Sequence, residues 1–431
     1  MFTRMKKVFF YKRKSFLTDA FIVTLGTIAA QVLPLIFYPV LTRLFAPADF
    51  GVLATITAIT GVLTVIVTGK YETIVLIVND KKDTANLLIA ILLISLCFLL
   101  ISEILIWIFS SEISVLFNDP ELRYWLFLCP ILSFCIVIYQ CYNEWCVKYK
   151  YFVNLSWNKI TNAGAIVLSK VCLGWSACFS GGLVWGDLGG RLFSALACTL
   201  HALKKDKAVF REVSVQRMLF LLKRYKECPI YVMPAQLLNT VGGYLPVFFL
   251  AAYFSKTELG YYSMTMMLLT LPLSVVGIAI RDVFRQRAAV EYMERGCCSD
   301  LYKRVLIPLA GLSLLVFALL FIVAPWVFSF VLGEQWREAG VYARVLSPML
   351  AISFVSEVGT AMFFIAEKMK DLMKWQIVYF VCSLLSLWLG VYFFHDIKYV
   401  LFCFMMGRSV VYIVSVGMTY HYTLGKNRNN F

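Results

Sequence analysis

Charge is scarce in this sequence. Lysine, arginine, aspartate and glutamate together make up 15% of its 431 residues, histidine occurs 3 times, and 61% of the chain is hydrophobic. So little polar side chain cannot keep so much apolar surface from water, which excludes a soluble globular protein. Short alternating strands are missing too. The apolar runs are about 20 residues long, so the chain reads as a helical polytopic membrane protein and not as an outer-membrane barrel.

Other absences narrow the chemistry. The 13 cysteines form no CxxC pair and no cluster with metal-ligand spacing. Apart from the adjacent Cys297 and Cys298 they are scattered among apolar positions, as reduced cysteines used as small hydrophobes would be. No metal and no cofactor is expected. There is no Gly-rich phosphate loop, DxD pair or His/Asp/Ser constellation, which argues against ATP hydrolysis. The basic N-terminus leads into an apolar segment too long for a signal-peptide core, so no cleavable signal peptide is expected.

What is present is organised around Phe21 to Gly51, FIVTLGTIAAQVLPLIFYPVLTRLFAPADFG. From Phe21 to Leu41 no residue is charged, a length that crosses a hydrocarbon core of about 30 Å as a helix. Pro34 and Pro39 lie inside it. Each removes a backbone donor and crowds the preceding turn, so the helix is predicted to bend or break in its outer half. Lipid tolerates such a break only where neighbouring helices or a wet cavity satisfy the freed carbonyls. This makes the first span a candidate moving part.

Apolar runs bounded by polar or Pro/Gly loops give twelve spans in two sets of six. The first set has cores at 21–41, 50–68, 85–109, 122–143, 157–179 and 181–202. The second has cores at 229–253, 260–280, 305–331, 341–365, 375–394 and 399–420. With both termini inside, the inner segments hold 31 lysines and arginines and the outer loops 4, namely Arg43, Lys256, Arg337 and Lys398. A bias that survives every alternation supports twelve spans, because one span more or fewer would invert it downstream. It also accounts for the net charge of +15 as a basic face turned to anionic lipid, with no need for nucleic acid. Every outer loop is short; the longest, Ser110 to Glu121, offers Glu112, Asp119 and Glu121 but no His or Arg.

The longest inner loop, 203–228, divides residues 1–202 from 229–431, the expected N-terminal and C-terminal six-helix lobes. Within it, Val213, Met218, Leu221 and Leu222 make an apolar stripe among Arg217, Lys223, Arg224 and Lys226, which predicts a helix lying in the interface. The inner loop 281–304 reads similarly. A faint repeat relates LFAPADFG (44–51) to YFSKTELG (253–260), with Phe45/Phe254, Asp49/Glu258 and Gly51/Gly260 at one offset. Two halves in the same orientation imply a pseudo-two-fold axis along the membrane normal and a cleft between them, as in transporters.

Five cations lie within spans: Arg123, Lys170, Arg191, Arg344 and Arg408. Arg123 and Arg344 are within a turn of the outer ends and can snorkel. Arg191 and Arg408 fall about 15 Å deep and Lys170 about 14 Å, at about 1.5 Å per residue, where charge is costly and usually faces a bundle interior or a wet cavity. Asp187 stands four residues before Arg191 and shares its helix face. It reads either as a structural ion pair, one that can extend to Lys170, or as an ion-coupling site. Glu357 has three readings: a partner for Arg408, a titrating coupling site, or a solvated residue at the inner edge. At the inner mouth stand Lys70 with Glu72, and Arg281, Asp282, Arg285 and Arg287. Cations at the entrance and again at mid-depth suit an anionic substrate.

GTIAAQVLPLIFYPVLTRLFAPADFGVLA followed by GKYETIVLI resembles the first two spans of the polysaccharide (O-antigen, Wzx-type) flippases of the MOP superfamily. LKRYKECPIYVMPAQLLN, LPLSVVGIAIRDVFRQRAAVEY and GEQWREAGVYARVLSPMLAISFVSEVGT resemble the second half of that family. The likeness implies twelve helices in two six-helix lobes. It further implies alternating access that carries an undecaprenyl-diphosphate oligosaccharide from the cytoplasmic to the outer leaflet of a bacterial inner membrane, both termini being cytoplasmic. Polysaccharide polymerase and chain-length proteins are the implied partners, with membrane lipid itself. On this reading Lys170, Arg191, Arg408, Arg43, Lys70, Arg281, Arg285 and Arg344 are candidate diphosphate and sugar contacts. Asp187, Glu357 and Glu72 are candidates for ion coupling, and Pro34 and Pro39 for helix bending. Trp157, Trp185, Tyr244 and Trp375 are candidates for stacking on sugars, although packing suits each of them as well. Two rivals remain: a twelve-helix drug or metabolite exporter, disfavoured by the cationic interior, and a membrane polymerase or ligase, disfavoured by the short outer loops.

Overall fold

The computed structural model describes residues 2–176, 181–210 and 212–425, and for 2–20, 208, 272 and 275 the backbone alone. It is helical throughout, with no strand among the described residues. In order the helices are α1 (Phe2–Leu44), α2 (Pro47–Thr68), α3 (Lys81–Leu116), α4 (Leu122–Trp125) and α5 (Leu128–Lys148). Then come α6 (Phe152–Ser176), α7 (Gly182–Phe210), α8 (Val215–Arg224), α9 (Met233–Tyr253) and α10 (Lys256–Arg295). The chain ends with α11 (Ser299–Leu332), α12 (Arg337–Gly359), α13 (Ala361–Ile365), α14 (Met369–Phe393) and α15 (Ile397–Thr423).

Each of the twelve predicted spans is occupied by helix among the described residues. Among the described residues, nine helical segments are long and apolar enough to cross a membrane, and a tenth is α10, whose halves Lys256–Leu271 and Val276–Arg295 meet at 41°. The other two, α6 and α7, have the length but not the hydropathy. They carry Lys159, Lys170, Asp187 and Arg191 among asparagines, serines and glycines. The junction around Ser180 falls partly outside the described residues, as do Arg211 and the basic residues of the C-terminus.

The chain divides into two compact units, Met1–Tyr244 and Leu245–Phe431, with the boundary inside α9. In the first, α6 packs between α1 and α7. Hydroxyls tie these helices where lipid offers no hydrogen bonds: Ser156 Oγ donates to Ile22 O (3.0 Å) and Lys159 Nζ to Thr27 Oγ1 (2.8 Å). In the second, α12 is the buried centre, packed on by α11, α15 and α10. Thr265 Oγ1 of α10 donates to Ala339 O (2.7 Å) and Ser313 Oγ of α11 to Ala351 O (2.9 Å).

Two sequence expectations need correction. Of the bend or break expected at Pro34 and Pro39, the break is absent: α1 runs as one helix through both. And residues 281–295 are not a separate interfacial helix but the continuation of α10, which ends only at the left-handed Gly296. Helix propagation past 280 adds one hydrogen bond per residue already aligned, which outweighs the polar composition. Residues 215–224, by contrast, do form the short amphipathic helix α8. Met218 and Leu221 face inward, and Tyr71 Oη donates to Leu222 O (3.1 Å). Burial raises the Tyr71 pKa, so its hydroxyl stays a donor.

The faint repeat has a local cause. Asp49 Oδ2 accepts from Ala46 N–H (2.9 Å) at the start of α2, and Glu258 Oε2 accepts from Ser255 N–H (2.9 Å) at the start of α10. An acid at the third helical position satisfies a donor that the helix start would otherwise leave open.

Candidate functional site: a hydroxyl-lined cavity beside a buried ion network

Glycine sets the geometry. Gly182, Gly186 and Gly190 recur every fourth residue of α7 and face α6 or the end of α1. A methyl group at Gly190 would collide with the Ile166 backbone, and one at Gly186 would lie 2.7 Å from Lys170 Cα. Such stripes of small residues let helix backbones approach closely in lipid. The approach at Gly186 brings Lys170 of α6 beside Asp187 of α7, Nζ to Oδ1 2.9 Å. The other carboxylate oxygen accepts from Nε of Arg191, one turn along, at 2.6 Å. Asp187 is 6% exposed and Lys170 8%. Tyr38 of α1, also buried, lies close enough to interact with the Asp187 charge. Two cations share one carboxylate, so the network holds an excess of positive charge, and a charge in such surroundings is screened far less than in water.

Arg191 and Asp187 also line a cavity of about 260 Å³ within the first unit. Its floor is a ladder on α2: Thr57, Thr60 and Thr64 fall at helical spacing on one face. Thr64 Oγ1 donates to Thr60 O at 2.7 Å. Gln140 of α5 and Thr240 and Tyr244 of α9 close the sides. Gly61 makes room for the Tyr244 ring, since a methyl there would sit 2.6 Å from Tyr244 Cε2. Thr60 Oγ1 and Gln140 Oε1 are buried without a hydrogen-bond partner among the described residues, and buried polar groups normally have one, so this wall suits a hydroxyl-rich ligand. Lys70 lines the cavity at the far end of α2, where Gly69 (φ 53°) and Lys70 (φ 59°) turn the chain. Lys70 Nζ stands 3.0 Å from Glu72 Oε1, and Glu72 Oε2 is buried without a partner among the described residues.

The predicted site residues therefore fall into groups. Lys170, Asp187 and Arg191 form one network, and Lys70 with Glu72 stands at the same cavity. Arg43 is exposed at the end of α1. In the second unit Arg408 of α15 is 5% exposed, its Nε donates to Ser383 Oγ (3.1 Å), and its Cζ lies 4.5 Å from the ring centroids of Tyr379 and Phe404. Glu357 pairs with Arg281 of α10 at 3.0 Å, which answers the question of its partner. Arg285 is exposed and lies over the Phe364 ring at 5.8 Å. Arg344 donates through Nε to Phe321 O at 2.8 Å, the carbonyl that Pro325 deprives of its helical partner four residues on. Of the four aromatics considered for sugar stacking, Tyr244 lines this cavity; Trp375 Nε1 donates to Val411 O (3.3 Å), and Trp157 and Trp185 are exposed.

Sequence reading missed the threonine ladder, Gln140 and the glycine stripe. The stripe was legible as GxxxGxxxG. The ladder was hidden because threonine at helical spacing in an apolar run reads as tolerated filler.

A model of the family described as "Polysaccharide biosynthesis protein" matches residues 40–341. No curated protein sequence matches. Among solved structures, the lipid II flippase MurJ in an inward closed conformation aligns with a TM-score of 0.70 at 9% identity, covering 95% of this chain and 90% of that one. A MOP superfamily transporter from Pyrococcus furiosus aligns at 0.61 and 15% identity, covering 94% and 95%. A Vibrio cholerae MATE transporter aligns at 0.58 and 10%, covering 95% and 96%. Likeness at such identities speaks to the fold, and that fold is the one the family resemblance implied. The chain belongs to the polysaccharide biosynthesis protein family and has a fold like that of the MOP superfamily transporters.

Proposed function

We propose that this protein flips a lipid-diphosphate-linked oligosaccharide, of the undecaprenyl type, from the cytoplasmic to the outer leaflet of a bacterial inner membrane for surface polysaccharide assembly. Membership of a polysaccharide biosynthesis family supports a glycan substrate. The observation that carries the reading is the Lys170–Asp187–Arg191 network opening on a hydroxyl-lined cavity. Excess positive charge held in low dielectric attracts a diphosphate, while threonine hydroxyls, Gln140 and the Tyr244 ring offer hydrogen bonds and a flat face to sugars. Arg408, Lys70, Arg281, Arg285, Arg43 and Arg344 are assigned as further contacts along the path. All three carboxylates considered for ion coupling meet cations, Asp187 with Lys170 and Arg191, Glu357 with Arg281 and Glu72 with Lys70, and Glu72 in addition keeps one buried oxygen without a partner among the described residues. Glu72 is thus the best placed of them to take up an ion. A cationic drug would meet repulsion at the network, which disfavours drug export.

Binding of the purified protein to lipid-diphosphate glycan tests this directly. Arg191→Ala and Arg408→Ala should each weaken binding by about tenfold or more while the protein remains folded, as loss of a charge-assisted contact implies. Undiminished binding in both variants overturns the mechanism.

A further inference from the structure

A second cavity, of about 430 Å³, lies within the second unit and has no part in the ion network. Tyr253 and Phe254 at the C-terminal end of α9 form one side, and Trp388, Tyr392, Phe394 and His395 at the C-terminal end of α14 form the other. By the loop-charge count this is the outer end of the helices. We propose that this cavity is a sugar-binding subsite that receives one or two pyranose rings of the glycan on the outer side. The proposal rests on the flippase reading for the source of the glycan, but not for the binding chemistry.

The rings are held ready by their neighbours. Trp388 and Tyr392 stand one turn apart on α14 with centroids 5.6 Å apart and planes 17° from parallel, so they present one continuous platform. Phe394 stacks on Tyr399 (5.3 Å, 27°), and Tyr253 packs against Phe249 at 5.9 Å. Helix α14 ends here because Phe394 takes an extended conformation (φ −130°, ψ 133°), which turns its ring and His395 toward the cavity. Tyr253 (61%), Trp388 (51%) and Tyr392 (67%) remain heavily exposed in spite of their size.

Flat aromatic faces meet the C–H faces of pyranose rings, and tyrosine hydroxyls and an imidazole supply directional hydrogen bonds at the rim. The volume lies in the range of small-ligand clefts, about 300–1,000 Å³. An acyl chain would need no polar rim. An interfacial belt of aromatics anchors a helix through individual rings facing the headgroups; here two helix ends converge on one concave surface.

The test uses full-length protein in nanodiscs and a panel of methyl glycosides (glucose, galactose, mannose, N-acetylglucosamine, N-acetylgalactosamine) at millimolar concentration, read by saturation-transfer NMR. At least one glycoside should show transfer concentrated on its C–H face protons. Trp388→Ala should reduce that affinity about tenfold, Trp388→Phe should restore most of it, and Trp326→Ala, at an exposed ring that lines neither cavity, should leave it unchanged. No transfer from any glycoside, or transfer unaffected by Trp388→Ala, overturns the subsite and leaves the rings as an interfacial belt only. The flippase reading fails separately, by undiminished lipid-diphosphate binding in the arginine variants.

Discussion

Both units hold an arginine near mid-span, and they stabilise it by different means. In the first, Arg191 leans on Asp187, which Lys170 also holds, and the three charges border a polar cavity. In the second, Arg408 is sandwiched against the Tyr379 and Phe404 rings and donates to Ser383. An ion network compensates a buried cation by charge and needs every member present. A stack compensates it by ring quadrupoles and packing, at lower energy and with more tolerance. The helices differ accordingly. Beside Arg191, glycines bring α7 to α6 until their backbones touch, whereas beside Arg408 Gly407 of α15 meets the Ser386 side chain of α14, and the second unit's close backbone approach lies elsewhere, at Gly340 of α12 against Pro325 of α11. The first unit is built to hold a fixed charged arrangement, the second to pack around a planar cation.

The difference can be broken most severely at Asp187. Asp187→Ala leaves Lys170 and Arg191 buried without their counter-charge, and the expected cost is about 3–5 kcal/mol, seen as a large fall in melting temperature and folded yield in a fixed detergent. A cost near zero would mean that the network is solvated. Next is Gly190→Val, which forces α6 and α7 apart and should cost about 1–3 kcal/mol by the same melt. An unchanged melting temperature would show the glycine contact to be loose. The smallest effect sharpens the other side of the contrast. Arg408→Lys keeps the charge but loses the planar stack, for about 1 kcal/mol; if it proved as damaging as Asp187→Ala, the two units would not differ as argued.

Much of this was legible in the sequence, unevenly. The twelve helices follow from run length and loop charge, and the Asp187–Arg191 pair from their spacing of four. The acid–Gly repeat pointed to corresponding places in the two halves, but its meaning, a helix-start device at Ala46 and Ser255, required the backbone. The break expected at Pro34 and Pro39 is absent for an identifiable reason. A proline weakens one hydrogen bond and crowds one turn, and a helix packed along its length, as α1 is on α6, stays continuous through that loss. Arg344 illustrates a second limit, since its partner Phe321 O is on another helix and no spacing rule reaches it.

The sequence by itself determined that this chain spans a membrane as helices, which segments do so, and that cations lie too deep to be solvated by bulk water. Hydropathy and charge bias are properties of composition along the chain, and a bilayer reads them without reference to any fold. The tertiary structure alone decided what those cations face. Whether Lys170 meets Asp187 depends on Gly186 letting two backbones close to contact, and whether Thr57, Thr60 and Thr64 line a cavity depends on α5, α7 and α9 leaving space beside them. Contacts between segments distant in the chain are set by packing, and packing is not written in any one segment.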